Sequence, residues 1–111
     1  MNALSEFRFP DTATSRKAEL SIIVPLYNEY EVIEILYERL KSVLANLAIS
    51  HALVLVDDGS RDGTPRAIEH LSENDDAVTA VFLSRNFGKE AALTAGLDQA
   101  SGAAVILMDA D

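Results

Sequence analysis

The chain has 111 residues, 49% of them hydrophobic and 24% charged, the composition of one ordinary globular domain rather than of a low-complexity or membrane-embedded segment. Nine Lys and Arg against 18 Asp and Glu give a formal net charge of -9, which excludes a surface built to neutralise nucleic-acid phosphates. No Cys and two separated histidines, His51 and His70, exclude a disulfide scaffold, a Cys or His zinc site and a Cys nucleophile, while hard-cation chemistry on carboxylates survives.

No apolar run approaches the roughly 20 residues of a membrane span, and the N-terminus lacks a basic start followed by an apolar segment. A cytosolic or cytosol-facing location is therefore expected. Residues 1–19 are polar and aperiodic and read as a tail, in which Phe7 and Phe9 are the residues able to dock. From Leu20 onward short apolar runs alternate with helical periods. LSIIV (Leu20 to Val24) is rich in β-branched residues and is expected to stop at Pro25, which has no N–H for a sheet. Asn28 with Glu31 has the form of an N-cap and capping box opening a helix on Ile33, Leu36, Leu40, Val43, Leu44 and Leu47.

ALVLV (Ala52 to Val56) is a second, continuously apolar strand, as suits a sheet covered on both faces. Thr64 as N-cap before Pro65 predicts a helix to about Ser72. Val78 to Leu83 is strand three. A helix from about Lys89 to Ala100 carries a small-residue face, Ala91, Ala92, Ala95 and Gly96, with Gly102 as its stop, and Ala104 to Met108 is strand four. The order β-α-β-α-β-α-β with crossover-length connections predicts an α/β fold, a Rossmann-like doubly wound parallel sheet.

Open sheets of this kind bind ligands outside the carboxyl ends of their strands. Those ends read Pro25-Leu26-Tyr27-Asn28-Glu29, Asp57 to Thr64, Ser84 to Lys89, and Asp109-Ala110-Asp111. Singly, each has a plain structural reading: Asn28 and Glu29 cap a helix, Tyr27 packs in a loop, and Asp58-Gly59 and Asp62-Gly63 are turns. Together, carboxylates, a tyrosine, cations and glycines concentrate on one edge beyond what folding requires. Lys89 opposes the dipole at a helix start, which favours a ligand role. Asp109 and Asp111, at alternate positions leaving a strand, can share a hard divalent cation. A G-x-G-x-x-G after strand one and a complete P-loop are both lacking, which leaves carboxylates with Mg²⁺ or Mn²⁺ holding a diphosphate.

SIIVPLYNE, VLVDDGSRDGT, LSRNFGKEAALTAGLDQASG and ILMDAD, in this order and spacing, resemble the N-terminal half of a family 2 inverting glycosyltransferase of the GT-A fold, over residues 20–111. The passage Ser84 to Gly96 is most similar to the polyprenyl-phosphate glycosyltransferases, the bactoprenol glucosyltransferases and dolichol-phosphate mannose synthase among them. The resemblance implies that Pro25, Tyr27 and Glu29 line a pocket for base and ribose, that Asp57 accepts a hydrogen bond from the base, and that Asp58 to Ser60 shape that loop. It further implies that Arg85 and Lys89 lie near the nucleotide or its phosphates, and that Asp109 and Asp111 hold the metal that bridges to the diphosphate.

The implied donor is a UDP- or GDP-sugar and the implied acceptor a polyprenyl phosphate. Such an acceptor is already an anionic nucleophile, and no general base is identified in this chain. Because the matching motifs end at the second Asp of D-x-D, the resemblance implies a nucleotide-binding half-site, inactive alone and able to self-associate through the face left open. Two other classes stand beside it. One is a non-catalytic chain that binds nucleotide or a partner. The other is a receiver-like signalling module, which expects an acidic pair after strand one, where this chain has Pro25 to Glu29.

Overall fold

The computed structural model describes residues 18–100 and 104–110. The expectations for the tail before residue 18, for Gly102 as a helix stop and for Asp111 lie outside the described residues. The elements run β1 (Leu20–Leu26), α1 (Tyr30–Leu47), β2 (His51–Asp57), α2 (Thr64–Asn74), β3 (Val78–Phe82), α3 (Lys89–Gln99) and β4 (Ala104–Leu107). All three strand pairings are parallel, in the order β3-β2-β1-β4. The chain thus steps outward from β1 to β3 and then crosses back to the other side of β1. That reversal opens the switch-point crevice between the carboxyl ends of β1 and β4.

Alternation along the strands divides the core in two. Ile22, Val24, Leu26, Leu53, Leu55 and Val78 are buried under Ile33 and Leu44 of α1 and Ile68 of α2, while Ile23, Val54 and Val56 are buried on the opposite face against Ala92 of α3. The continuous apolar runs are explained by this two-sided covering. Of the small-residue face expected on α3, Ala92 and Gly96 are buried, Ala95 is half-buried and Ala91 is exposed. Gly96 is required: a Cβ there would collide with Ile23 Cγ2 and lie 3.1 Å from Val56 Cγ2.

Three expectations need correction. β1 does not stop before Pro25 but pairs through Pro25↔Val56 and Leu26↔Asp57. The reason is parity: Ile23 O accepts from Met108 N on the β4 side and Leu26 O accepts from Asp58 N on the β2 side, so the missing N–H of Pro25 faces β4, beyond that strand's last residue. Val43 and Leu47 of α1 are exposed. Leu44 is still buried, so the sheet reaches that far: Val43 is turned about 100° from it on the helix, and Leu47, the last residue of α1, lies beyond the covered stretch. Finally, neither Asn28 nor Thr64 caps its own helix. The N-cap positions fall at Glu29 and Gly63 with no side-chain cap bond, and both predicted caps bond across to the neighbouring loop.

Candidate functional site

The two aspartates that end β2 leave it toward opposite faces and are both 3% exposed. Asp57 lies on the α1/α2 side; its Oδ1 accepts from Ser60 N at 3.1 Å and its carbonyl from Leu83 N at 2.9 Å. Asp58 lies on the α3 side. Its Oδ1 accepts from Phe87 N at 2.8 Å, and its Oδ2 accepts from Gly88 N at 3.0 Å and Asn86 Nδ2 at 3.1 Å. Gly88 is the N-cap of α3, so Asp58 supplies from another loop the negative charge that a helix N-terminus favours. The structure therefore makes Asp58 a positioning residue for the 86–88 loop rather than an open ligand. Gly59, at φ 74, lets that loop press close: a Cβ there would overlap the backbone of Arg85 and Asn86.

After β1, Tyr27 is 43% exposed and Glu29 half-buried at the mouth of the crevice, while Pro25 is buried and contributes the exit angle of the chain. Asn28 has φ 54; its N–H donates to Ser60 Oγ at 2.8 Å and its Oδ1 accepts from Arg61 N at 2.9 Å. Asp62 accepts from Tyr30 N at 3.3 Å and Thr64 N at 2.9 Å. Burial pushes the Asp62 carboxyl up, but hydrogen bonds from Thr64 and from the Tyr30 N–H outweigh it and leave it below its ordinary value. This cross-linking of two loops more than 30 residues apart has no short-range sequence signal.

On the far side of the crevice Lys89, the first residue of α3, forms an ion pair with Asp109 after β4; both side chains are about half exposed. A lysine opposing the helix dipole is thus matched with a carboxylate from the adjacent strand end. Arg85 stacks its guanidinium 4.0 Å from the Phe87 ring centroid on the intervening loop. Among the described residues a concavity lies elsewhere, a groove of about 1120 Å³ between α1 and α2 lined by Tyr30, Glu34, Arg66, His70 and Phe82. Groove and chemistry disagree, and the strand ends are the better guide, because there backbone and side-chain donors from four separate elements converge.

Residues 21–111 match the family model described as Glycosyl transferase family 2. The chain belongs to that family. It is 41% identical over 93 residues to the bactoprenol glucosyl transferase of Shigella phage SfV, covering 84% of this chain and 30% of that protein. In fold it is similar to a mannosyltransferase from Pyrobaculum calidifontis in complex with GDP-Man and Mn²⁺, at TM-score 0.66 and 31% identity over 87% of this chain and 28% of that one. It is likewise similar to S. aureus TarS 1-349 in complex with UDP-GlcNAc, at TM-score 0.68 and 28% identity over 84% of this chain and 26% of that one. The chain spans about 30% of the length of the curated relatives it matches.

For this family 2 chain the fold class is that of the GT-A glycosyltransferases, and a receiver-like module is set aside. The structure brings Tyr27, Glu29 and Asp57 to one wall of the crevice and Lys89 and Asp109 to the other. Among the described residues no group of three or more His, Asp or Glu could hold a metal by itself. Asp109 has the donor chemistry that a hard divalent cation takes, a half-exposed carboxylate just after β4, and in this structure it is paired with Lys89.

Proposed function

We propose that this chain is the nucleotide-sugar-binding part of a glycosyltransferase that passes a sugar from a UDP- or GDP-sugar to a polyprenyl phosphate with inversion, at the cytosolic face of a membrane. The observation that carries this reading is the placement of Tyr27, Glu29 and buried Asp57, and of the Lys89–Asp109 ion pair, at the same carboxyl edge of a parallel sheet. Tyr27 offers a ring to stack on a base. Asp57 offers a buried carboxylate that, with one oxygen held by Ser60 N, accepts a base N–H at a fixed orientation. Buried acceptors of this kind discriminate strongly, since a ligand lacking the donor leaves them unmatched. The phage relative's name supports the lipid acceptor, and the titles of the two solved structures support a nucleotide-sugar donor.

In the proposed reaction an acceptor phosphate oxygen attacks the anomeric carbon as the bond to the departing diphosphate breaks, its electron pair leaving with the nucleoside diphosphate. The attacking oxygen is already anionic, so this chain need supply no base. Lys89, beside the crevice, lies within the part of the site that receives the leaving charge. Mg²⁺ or Mn²⁺ held by Asp109 and Asp111 would add positive charge to the same diphosphate. Calorimetric titration with UDP and GDP in Mn²⁺ tests the reading: one nucleotide binds, and Asp57→Ala weakens it by about tenfold or more, the loss of a charge-assisted hydrogen bond. Equal affinity of wild type and Asp57→Ala removes Asp57 from the site.

A further inference from the structure

We propose that Asn28 is a positioning residue for nucleotide recognition, holding Tyr27 and Asp57 at a fixed separation through Ser60 without touching the ligand; this rests on the crevice being the nucleotide site. Asn28 sits between Tyr27 and Glu29 at φ 54, where side chains are strained and Asn is tolerated better than most. Its N–H is bonded to the Ser60 hydroxyl at 2.8 Å. The Ser60 N–H is in turn bonded to Asp57 Oδ1 at 3.1 Å, so one serine ties the Tyr27 corner to the buried carboxylate. Arg61 N to Asn28 Oδ1, at 2.9 Å, closes the ring.

The clasp continues into α1: Glu29 N donates to Thr64 Oγ1 at 3.0 Å and Tyr30 N to Asp62 Oδ2 at 3.3 Å. These bonds join residues 32 to 35 apart, so neither loop alone sets the spacing of Tyr27 from Asp57. Glycine would adopt the same backbone without strain and keep the N–H to Ser60. What it lacks is Oδ1 for Arg61. Both Asn28 bonds are exposed, where a hydrogen bond adds little to folding, so the side chain is better explained by geometry than by stability.

The test is titration of wild type, Asn28→Gly, Asn28→Asp, Ser60→Ala and the Asn28→Gly/Ser60→Ala double variant with UDP and GDP in Mn²⁺, each beside a thermal melt. Asn28→Gly should bind the wild-type nucleotide about fivefold more weakly with little change in melting temperature, the worth of one modest hydrogen bond. Asn28→Asp, which keeps an acceptor for Arg61 N, should recover most of that affinity. The double variant should be no worse than the weaker single, because both cut one clasp. Wild-type affinity in Asn28→Gly, failure of Asn28→Asp to recover, or losses that multiply in the double variant would each overturn the proposal alone. A wild-type chain that binds neither nucleotide overturns the site reading and the proposal with it.

Discussion

Asp57 and Asp58 are adjacent, equally buried and chemically identical, yet strand alternation gives them different work: one faces the crevice wall, the other caps a loop. Asp58→Ala would leave the Phe87 and Gly88 N–H groups without their acceptor in a half-buried setting. The expected cost is about 2–4 kcal/mol, read by urea unfolding, since such bonds to a charge are worth about 1.5–3 kcal/mol each and do not add fully. Asp57→Ala, losing one backbone donor, should cost clearly less stability while affecting nucleotide affinity more. If the two variants are equally destabilised, the division of roles is wrong. From the sequence the pair is visible as a strand end followed by Gly59, and that much follows from the apolar run before it. Which carboxylate faces the ligand depends on strand register, and the Asn28 and Thr64 caps fail for the related reason that a partner loop over 30 residues away competes for the same side chains.

Elements are held together at the opposite edge of the sheet by a polar cluster remote from the site. Tyr37 Oη donates to Asp75 Oδ2 at 2.6 Å and Lys41 Nζ lies 2.8 Å from the same oxygen, tying α1 to the turn before β3. Lys41 can only donate, so its 2.8 Å contact makes His51 Nε2 an acceptor, with Nδ1–H directed to Ile49 O. Burial raises the Asp75 carboxyl, but hydrogen bonds from Lys41, Tyr37 and Ala77 N outweigh it and bring it down to about 2; the bond to Asp75 pushes Tyr37 up to about 12. A depressed folded-state value contributes stability above the unfolded value of 3.8 that is lost as pH falls toward 2. Asp75→Asn should therefore be less stable than wild type by on the order of 2 kcal/mol at pH 6, with the gap closing between pH 4 and 2. A gap unchanged at pH 2 would sink this account. The edge strand carries the other element-scale prediction. Val105, Ile106 and Leu107 of β4 are 41–51% exposed, and because Ala104 N and Met108 N donate to β1, the N–H groups of Val105 and Leu107 face outward. Open apolar edges recruit strands, so the chain should self-associate in sedimentation runs at high concentration and Leu107→Lys should suppress it; a strictly monomeric wild type would refute that. Each strand and helix was legible in the apolar runs, helix-start residues and small-residue stretch, whereas β1 running through Pro25 was not, because the order β3-β2-β1-β4 decides which N–H groups need partners.

At the scale of the whole molecule, topology and charge pull in opposite directions. The sheet order brings the strand ends of β1 and β4 side by side, an adjacency that the alternation of elements alone does not give, while a net charge of -9 makes that crevice unwelcoming to a diphosphate. The Lys89 ammonium lies there but is shared with Asp109, so its attraction for an incoming anion is largely neutralised. In the proposed site a divalent cation held by Asp109 and Asp111 would add positive charge there and release Lys89 from Asp109 toward the diphosphate. Nucleotide binding should accordingly require Mg²⁺ or Mn²⁺: UDP or GDP affinity measured by calorimetry should fall by at least about tenfold in chelator, and Asp109→Asn should reduce that metal dependence. In a longer protein that contains this chain, Asp109→Asn with Asp111→Asn should abolish sugar transfer from the nucleotide sugar. Transfer that proceeds equally well in chelator or in the double variant would show that the carboxylates after β4 do not act through a metal.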